Sequence, residues 1–298
     1  MIYEGIFSSA LSVIKYMKKI AIVGYGYVGR TVANFFKDNF EVVARDIDKE
    51  YSFNNGSVYE RVCKSDDWTS INTADLAIIC VPTPKKTDGS VDISTIESIV
   101  KEIKTALILI KSTVPPGTTQ NLSKDTGKSI VFSPEFVGEG KYVVQWWKDR
   151  GYPHPTDMKY HDFQIFGGDR IVTEKVLQFF VSVLGPEAKY IQTDSTTAEL
   201  CKYMENAWAA MKVTFCNEFF EIAKAFGVNY SELREMWLLD GRVERMHTAV
   251  FPDKRGFGGK CLPKDVSGIV YAAEQNGYEP VLIKEVLQSN ARFTQKSV

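Results

Sequence analysis

The sequence predicts an α/β protein: a doubly wound sheet over residues 17–194, then an all-helical domain over residues 195–298 built on one very long helix. Three observations predict it. Short apolar runs alternate with helix-period segments through the first part, the rhythm of a largely parallel sheet with helices on both faces. The first run, residues 19–23, passes at once into GYGYVG at 24–29. From residue 196 to residue 226 the apolar period is helical without a break. The 298 residues suffice for two domains with sizeable cores. Residues 1–16 stand apart as an N-terminal extension. They lack a basic start, carry Glu4 and show no processing site, so they do not read as a signal peptide.

Residues 19–23 make the first strand, and residues 31–37 a helix with Val32, Phe35 and Phe36 inward. A second strand, 41–44, ends at Asp46. Strand, G-x-G-x-x-G, helix, strand and acid form the dinucleotide-binding pattern of a Rossmann-type domain. Gly24 allows the tight turn, Gly26 lets a pyrophosphate approach the backbone, and Gly29 lets the helix pack on the sheet. The helix N-terminus supplies N–H groups and positive potential for phosphate. Asp46 accepts hydrogen bonds from ribose hydroxyls, which favours NAD over NADP. Arg45 argues the other way, because an arginine there meets a 2′-phosphate. A plain strand-end turn is the blander role for Asp46, although Asp48 suits that better.

Residues 76–81 form the next strand, ending in Pro82, Thr83 and Pro84; residues 93–103 form a helix. Residues 107–111 form a strand ending in Ser112 and Thr113, and 130–132 one ending in SPEF at 133–136. Residues 163–166 form one more, ending in Gly167 and Gly168. Ligands of open α/β sheets sit beyond the carboxyl ends of strands. Thr83, Thr113 and Glu135 fall at such ends and together line one crevice, although each alone is a turn or cap residue by default. Residues 141–161, with Trp146, Trp147, Tyr152 and His154, read as a long ordered loop that either serves the site or covers the surface.

On the long helix, Leu200, Tyr203, Ala207, Ala210, Met211, Thr214 and Phe215 recur at three and four, an apolar stripe. Lys202 and Asn206 lie i, i+4 on one face. A lysine and an asparagine so placed are solvated by default. A helix of this length commonly packs on another subunit, which predicts a homodimer. Shorter helices follow over 230–239, 264–275 and 280–293. Between them, GFGGKCLPKD at 256–265 sets Cys261 in a glycine-rich loop between Lys260 and Lys264. Nearby cations favour thiolate, the nucleophilic form. Pro263 opens a helix with Lys264 and Asp265 in its first turn. The bland alternative is a structural loop with an incidental cysteine.

Composition narrows the partners. A formal net charge of −1 without a basic block points away from nucleic acid. No apolar run is long enough for a bilayer, so no membrane partner is expected. Five cysteines, an odd number without paired spacing, predict a reducing cytoplasm; the three histidines make no metal pattern.

Six motifs carry a resemblance: GYGYVG at 24–29, VPTP at 81–84, KSTVP at 111–115, SPEF at 133–136, AELCKYMEN at 198–206 and GFGGKCLPKD at 256–265. In order and spacing the chain resembles the UDP-glucose 6-dehydrogenase family of nucleotide-sugar dehydrogenases from about residue 18 to 293. The resemblance implies oxidation of a sugar nucleotide's 6-hydroxymethyl group to a carboxylate with two NAD per turn. It implies that Cys261 attacks the intermediate aldehyde, giving a thiohemiacetal and then a thioester that water hydrolyses. Lys202 and Asn206 would stabilise oxyanion charge, Asp265 would move a proton or orient water, Glu135 would be the base of hydrolysis and Thr113 would position the water. Tyr27, Val28, Pro82, Thr83 and Thr113 would join Gly24, Gly26, Gly29 and Asp46 around the cofactor. Phe136, Phe257, Gly258 and Lys264 would join Glu135, Lys202 and Asn206 around the substrate, and Arg242 would reach it across a subunit interface.

The chain departs from the family pattern in three places. A second nucleotide-binding domain usually follows the helical one, whereas this sequence ends at Val298. Gly138 stands where a bulky residue is usual, and the loop at 141–161 is longer and more aromatic. Either a second chain completes the uridine pocket, or the substrate is held differently, or turnover is lost. Two rival readings stay open. One is an NAD-dependent hydroxyacid dehydrogenase of the 3-hydroxyisobutyrate type, which uses a lysine and an asparagine on a long helix and no cysteine. The other is a module that binds NAD or a nucleotide sugar without catalysis.

Overall fold

The computed structural model describes residues 19–47, 62–64, 68–137 and 158–295. The extension at 1–16 and the part of the aromatic loop before residue 158 lie outside the described residues. The chain divides into two compact units: residues up to Thr83 with Ile93–Lys202, and Pro84–Asp92 with Tyr203 onward.

The first unit is an eight-stranded sheet in the order β3-β2-β1-β4-β5-β6-β7-β8. Its elements run β1 (Lys19–Val23), α1 (Tyr27–Phe36), β2 (Glu41–Arg45), β3 (Val62–Lys64), α2 (Thr69–Asn72), β4 (Leu76–Ile79), α3 (Ser94–Glu102), β5 (Leu107–Ile110), α4 (Thr118–Thr126) and β6 (Ser129–Phe132). Then come β7 (Phe163–Gly167), α5 (Arg170–Leu184) and β8 (Lys189–Thr193). Neighbours pair in parallel except β6 with β7. β4 and β5, LAII and LILI, are buried at every residue, as strands covered on both faces must be.

Strand alternation sorts the core into two layers. Ile20, Ile22, Leu76, Ile78 and Leu109 meet Phe35, Phe36, Phe179 and Phe180 of α1 and α5. Ala21, Val23, Ala77, Ile79, Ile108 and Ile110 meet Ile71, Ile96, Ile99 and Leu122 of α2, α3 and α4, with Ala198.

Helix and strand boundaries differ from the sequence reading in ways that matter. α1 begins at Tyr27 rather than at residue 31, because Gly26 is already its N-cap. Val81 and Lys111 leave their strands. α4, α5 and β8 carry no counterpart in the sequence reading. α5 is capped by Asp169, whose side chain accepts from Ile171 N and Val172 N.

The second unit is helical. It holds most of α6 (Ser195–Ala225), α7 (Tyr230–Trp237), α8 (Leu262–Gln275) and α9 (Val281–Thr294). Ala210, Phe257, Val266 and Val286 form one core; Cys216, Ala223 and Tyr230 form another. The Pro84–Asp92 loop packs on α8, where Ser267 Oγ donates to Gly89 O at 3.1 Å. A Cβ on Gly268 would stand 2.6 Å from Val91, so only glycine fits there.

Candidate functional site

In the first unit the parallel strands present their carboxyl ends along one edge of the sheet, with the reversal of strand order between β1 and β4. Gly24 follows β1 at φ +92°, and a Cβ there would lie 2.7 Å from the Cys80 carbonyl. A Cβ on Gly29 would lie 2.0 Å from Gly24 O. Nothing stands within 4 Å of a Cβ placed on Gly26, the N-cap of α1, which has no side-chain cap. Two glycines are thus required by the protein itself, while the third leaves a cleared backbone at a helix N-terminus. That is the surface a pyrophosphate needs, so these residues fit a dinucleotide. Asp46, just past β2, accepts from Tyr25 N at 2.5 Å and so braces the glycine loop. The Arg45 guanidinium lies 4.3 Å over the Trp68 ring, an engagement the sequence did not reveal.

Thr83 Oγ1 donates to Thr113 O at 2.8 Å, bringing together the loops after β4 and β5. Beyond β6, Glu135 meets Lys202 of α6. Lys202 Nζ stands 3.1 Å from Glu135 Oε1 and donates to Glu135 O at 2.6 Å. Phe136 flanks the same ammonium at 5.6 Å. Lys202 and Asn206 are buried, which corrects the solvated default for that helix face. A buried ion pair is weak evidence of stability and better evidence of retained chemistry.

In the second unit Cys261 is the N-cap of α8, with Pro263 in the first turn. Its thiol is exposed, whereas Cys216 is buried and Cys80 and Cys201 are partly buried. Burial pushes the Cys80 thiol up to about 12 and raises that of Cys216, so both are poor nucleophiles. Asp265 N donates to Cys261 O at 2.8 Å, and the buried Asp265 carboxylate accepts from Asn206 Nδ2. Lys264 Nζ completes the cluster 2.8 Å from Asp265 Oδ1. Phe257 is buried in the core, whereas Gly258 has open space around its Cα. Arg242 projects with its side chain 90% exposed and pairs with Asp240 at 2.6 Å; among the described residues it is not drawn to the other site residues.

Residues 58–150 match the NAD binding domain of the UDP-glucose/GDP-mannose dehydrogenase family, and residues 196–292 match that family's central domain. The GDP-mannose 6-dehydrogenase of Pseudomonas syringae pv. syringae is 32% identical over 94% of this chain and 69% of its own length. The chain belongs to the UDP-glucose/GDP-mannose dehydrogenase family. Its cofactor is NAD. The solved UDP-glucose dehydrogenase of the archaeon Pyrobaculum islandicum superposes with a TM-score of 0.78 at 26% identity, over 93% of this chain and 68% of that one. A 3-hydroxyisobutyrate dehydrogenase of Mycobacterium tuberculosis has a TM-score of 0.65 at 18% identity over 93% of both chains, a likeness of fold alone.

Two site-region residues of this dehydrogenase lay in the motifs without a role of their own. Glu199 of α6, fully buried, accepts from Gly117 N at 2.5 Å and Thr119 N at 2.9 Å, holding the start of α4. Lys111 Nζ donates to Ser133 Oγ at 2.9 Å and Pro134 O at 3.4 Å, tying down the turn before Glu135. Burial lowers the Lys111 ammonium to about 8 against the pull of Cys80 and Glu135. The signal in the sequence was a charge set among apolar residues, Lys111 at the end of LILIK and Glu199 in AELC.

Proposed function

We propose that this chain oxidises the 6-hydroxymethyl group of a nucleotide sugar to a carboxylate, with Cys261 as covalent nucleophile. The observation that carries the reading is the start of α8, where an exposed Cys261, whose carbonyl accepts from Asp265 N, opens the helix that holds the buried Asp265 carboxylate between Lys264 and Asn206. Two NAD, bound one after the other at the glycine loop, would each accept one hydride. The chain's own residues do the rest. Asn206 and the Lys202 ammonium hold the charge that develops on the C6 oxygen. Cys261 Sγ adds to the aldehyde carbon to form the thiohemiacetal, whose oxidation leaves a thioester. Glu135 takes the proton of the attacking water as the base of hydrolysis, Asp265 assists proton transfer or orients that water, and Thr113 positions it. Gly24, Gly26, Gly29 and Asp46 bind the dinucleotide, with Tyr27, Val28, Pro82 and Thr83 beside them. Phe136, Gly258 and Lys264 face the sugar nucleotide, whereas Phe257 belongs to the core of the helical unit, and Arg242 reaches the substrate of a partner subunit. A reduced Cys261 suits a reducing compartment such as the cytoplasm.

The test is to incubate the purified protein with NAD and a panel of UDP-, GDP- and TDP-sugars, following NADH, with a 3-hydroxyacid panel in parallel. The expected result is two NADH per uronate formed. Cys261→Ser should lose acid production while permitting at most a single turnover to the aldehyde. Full steady-state activity in that variant removes Cys261 as nucleophile; turnover of hydroxyacids alone, insensitive to thiol alkylation, replaces the reading by the hydroxyacid one.

A further inference from the structure

The backbone four to six residues before Cys261 is held by side chains that no catalytic role explains. Asn290 of α9 is buried and engages both backbone groups of Phe257: its Oδ1 accepts from Phe257 N at 2.6 Å, and its Nδ2 donates to Phe257 O at 2.9 Å. One side chain thus acts as a strand partner would. Asn217 of α6 works from another helix. Its Oδ1 accepts from Gly256 N at 3.2 Å and from Arg255 Nε at 2.7 Å, while its Nδ2 is tied to Val213 O of its own helix at 2.9 Å. The buried Arg255 also pairs with Glu221 at 2.8 Å and stacks 4.2 Å from the Phe220 ring.

Gly256 is pressed between these groups. It sits at φ +71°, and an added Cβ would stand 2.4 Å from Asn290 Oδ1. Three consecutive residues, 255–257, are therefore fixed to α6 and α9, and Cys261 is fixed again as the N-cap of α8. Only Gly258, Gly259 and Lys260 span the gap, and the two glycines have open space around them. Apolar side chains would fill the same volume with less desolvation. What the amides add is a set position for the backbone, the requirement of a nucleophile that must meet a carbonyl carbon.

We propose that Asn290 and Asn217 are positioning residues that clamp the Gly256–Phe257 backbone and so set the Cys261 thiol at the start of α8 before substrate arrives. The proposal rests on the reading of Cys261 as nucleophile, and its test separates the two. Alkylation of Cys261 by iodoacetamide, followed peptide by peptide by mass spectrometry in the full chain, reports the thiol without any turnover. In Asn290→Ala the alkylation rate should fall several-fold, because the sulfur is no longer held at the α8 N-terminus that favours thiolate. In the same variant kcat should fall about tenfold to a hundredfold with KM for NAD unchanged. Asn290→Asp, which keeps the acceptor for Phe257 N, should lie between and covers the case in which the alanine variant fails to fold. Gly256→Ala should be at least as damaging as Asn290→Ala, because a Cβ there meets Asn290 Oδ1 and Thr294 and the φ of +71° strains any side chain. Unchanged or faster alkylation in both Asn290 variants overturns the clamp. Retained activity in Cys261→Ser overturns the nucleophile instead, and leaves the alkylation result to decide the clamp.

Discussion

Glu199 carries the most consequential buried charge outside the proposed reacting groups. Its two oxygens take the backbone N–H groups at the start of α4, and that helix follows the loop bearing Thr113. Burial pushes its carboxyl up to about 7, against the bonds from Thr119 and Gly117 that favour the ionised form. A folded-state pKa above the unfolded value means that the native state holds a proton the unfolded chain has released. Stability from this group is therefore complete below about pH 4.5 and is lost as pH rises through about 7. The loss amounts to about 3 kcal/mol. Glu199→Gln mimics the protonated carboxyl and titrates nothing. Denaturant unfolding at pH 5, 6 and 7.5 should show the variant gaining on the wild type by about 2 kcal/mol as pH rises. A stability difference constant across the three pH values rules it out. The glycines of the first loop were legible because their reason is steric and local. Glu199, Lys111, Asn217 and Asn290 were not, because each acquires its meaning from a partner on a distant stretch of chain.

The sequence showed α6 as a helix but blurred its faces. Its apolar stripe was read as one, yet the structure divides it. Tyr203, Ala210 and Thr214 are buried, while Leu200 and Phe215 are exposed. The exposed residues continue through Met204, Trp208, Phe219, Ile222 and Phe226, with Met204 78% and Phe226 80% exposed. Spacings of three, four and seven put them on one side of the helix. The Phe215 ring lies 4.7 Å from that of Phe219 and 5.9 Å from that of Trp237, making an aromatic patch. A helix apolar on two sides reads as a single broad periodicity, so residue spacing alone could not separate them. Such a patch on a monomer marks an interaction surface, and a second copy of α6 is its proposed occupant. Trp208→Glu with Phe215→Glu should convert a dimer into a monomer in sedimentation velocity, with secondary structure retained. A wild-type protein that is monomeric at every concentration sinks this proposal.

At the scale of the whole chain, the fold class was written in coarse features: apolar strands of four or five residues, the glycine loop and the switch to helical period. What escaped was the far side of the sheet, where α5 and β8 close the layer that holds Phe179 and Phe180. Their segment is amphipathic and carries an Asp169 cap, but it has no motif to draw the eye. The glycine loop also supplies the last prediction. A ligand that binds only the folded state stabilises it by about 2.7 kcal/mol at a hundredfold excess over Kd. NAD at such excess should raise Tm by several degrees, and NADP should raise it less, since Asp46 at the end of β2 repels a 2′-phosphate. Gly29→Ala would force a Cβ to 2.0 Å from Gly24 O and distort the turn. That variant should melt lower and lose the NAD shift. Asp46→Ala should instead keep a shift but lose the preference for NAD. If Gly29→Ala keeps the full NAD shift, the dinucleotide binds elsewhere. If NADP protects as well as NAD, the Asp46 assignment fails while the loop assignment stands, so one melting series tests the two residues separately.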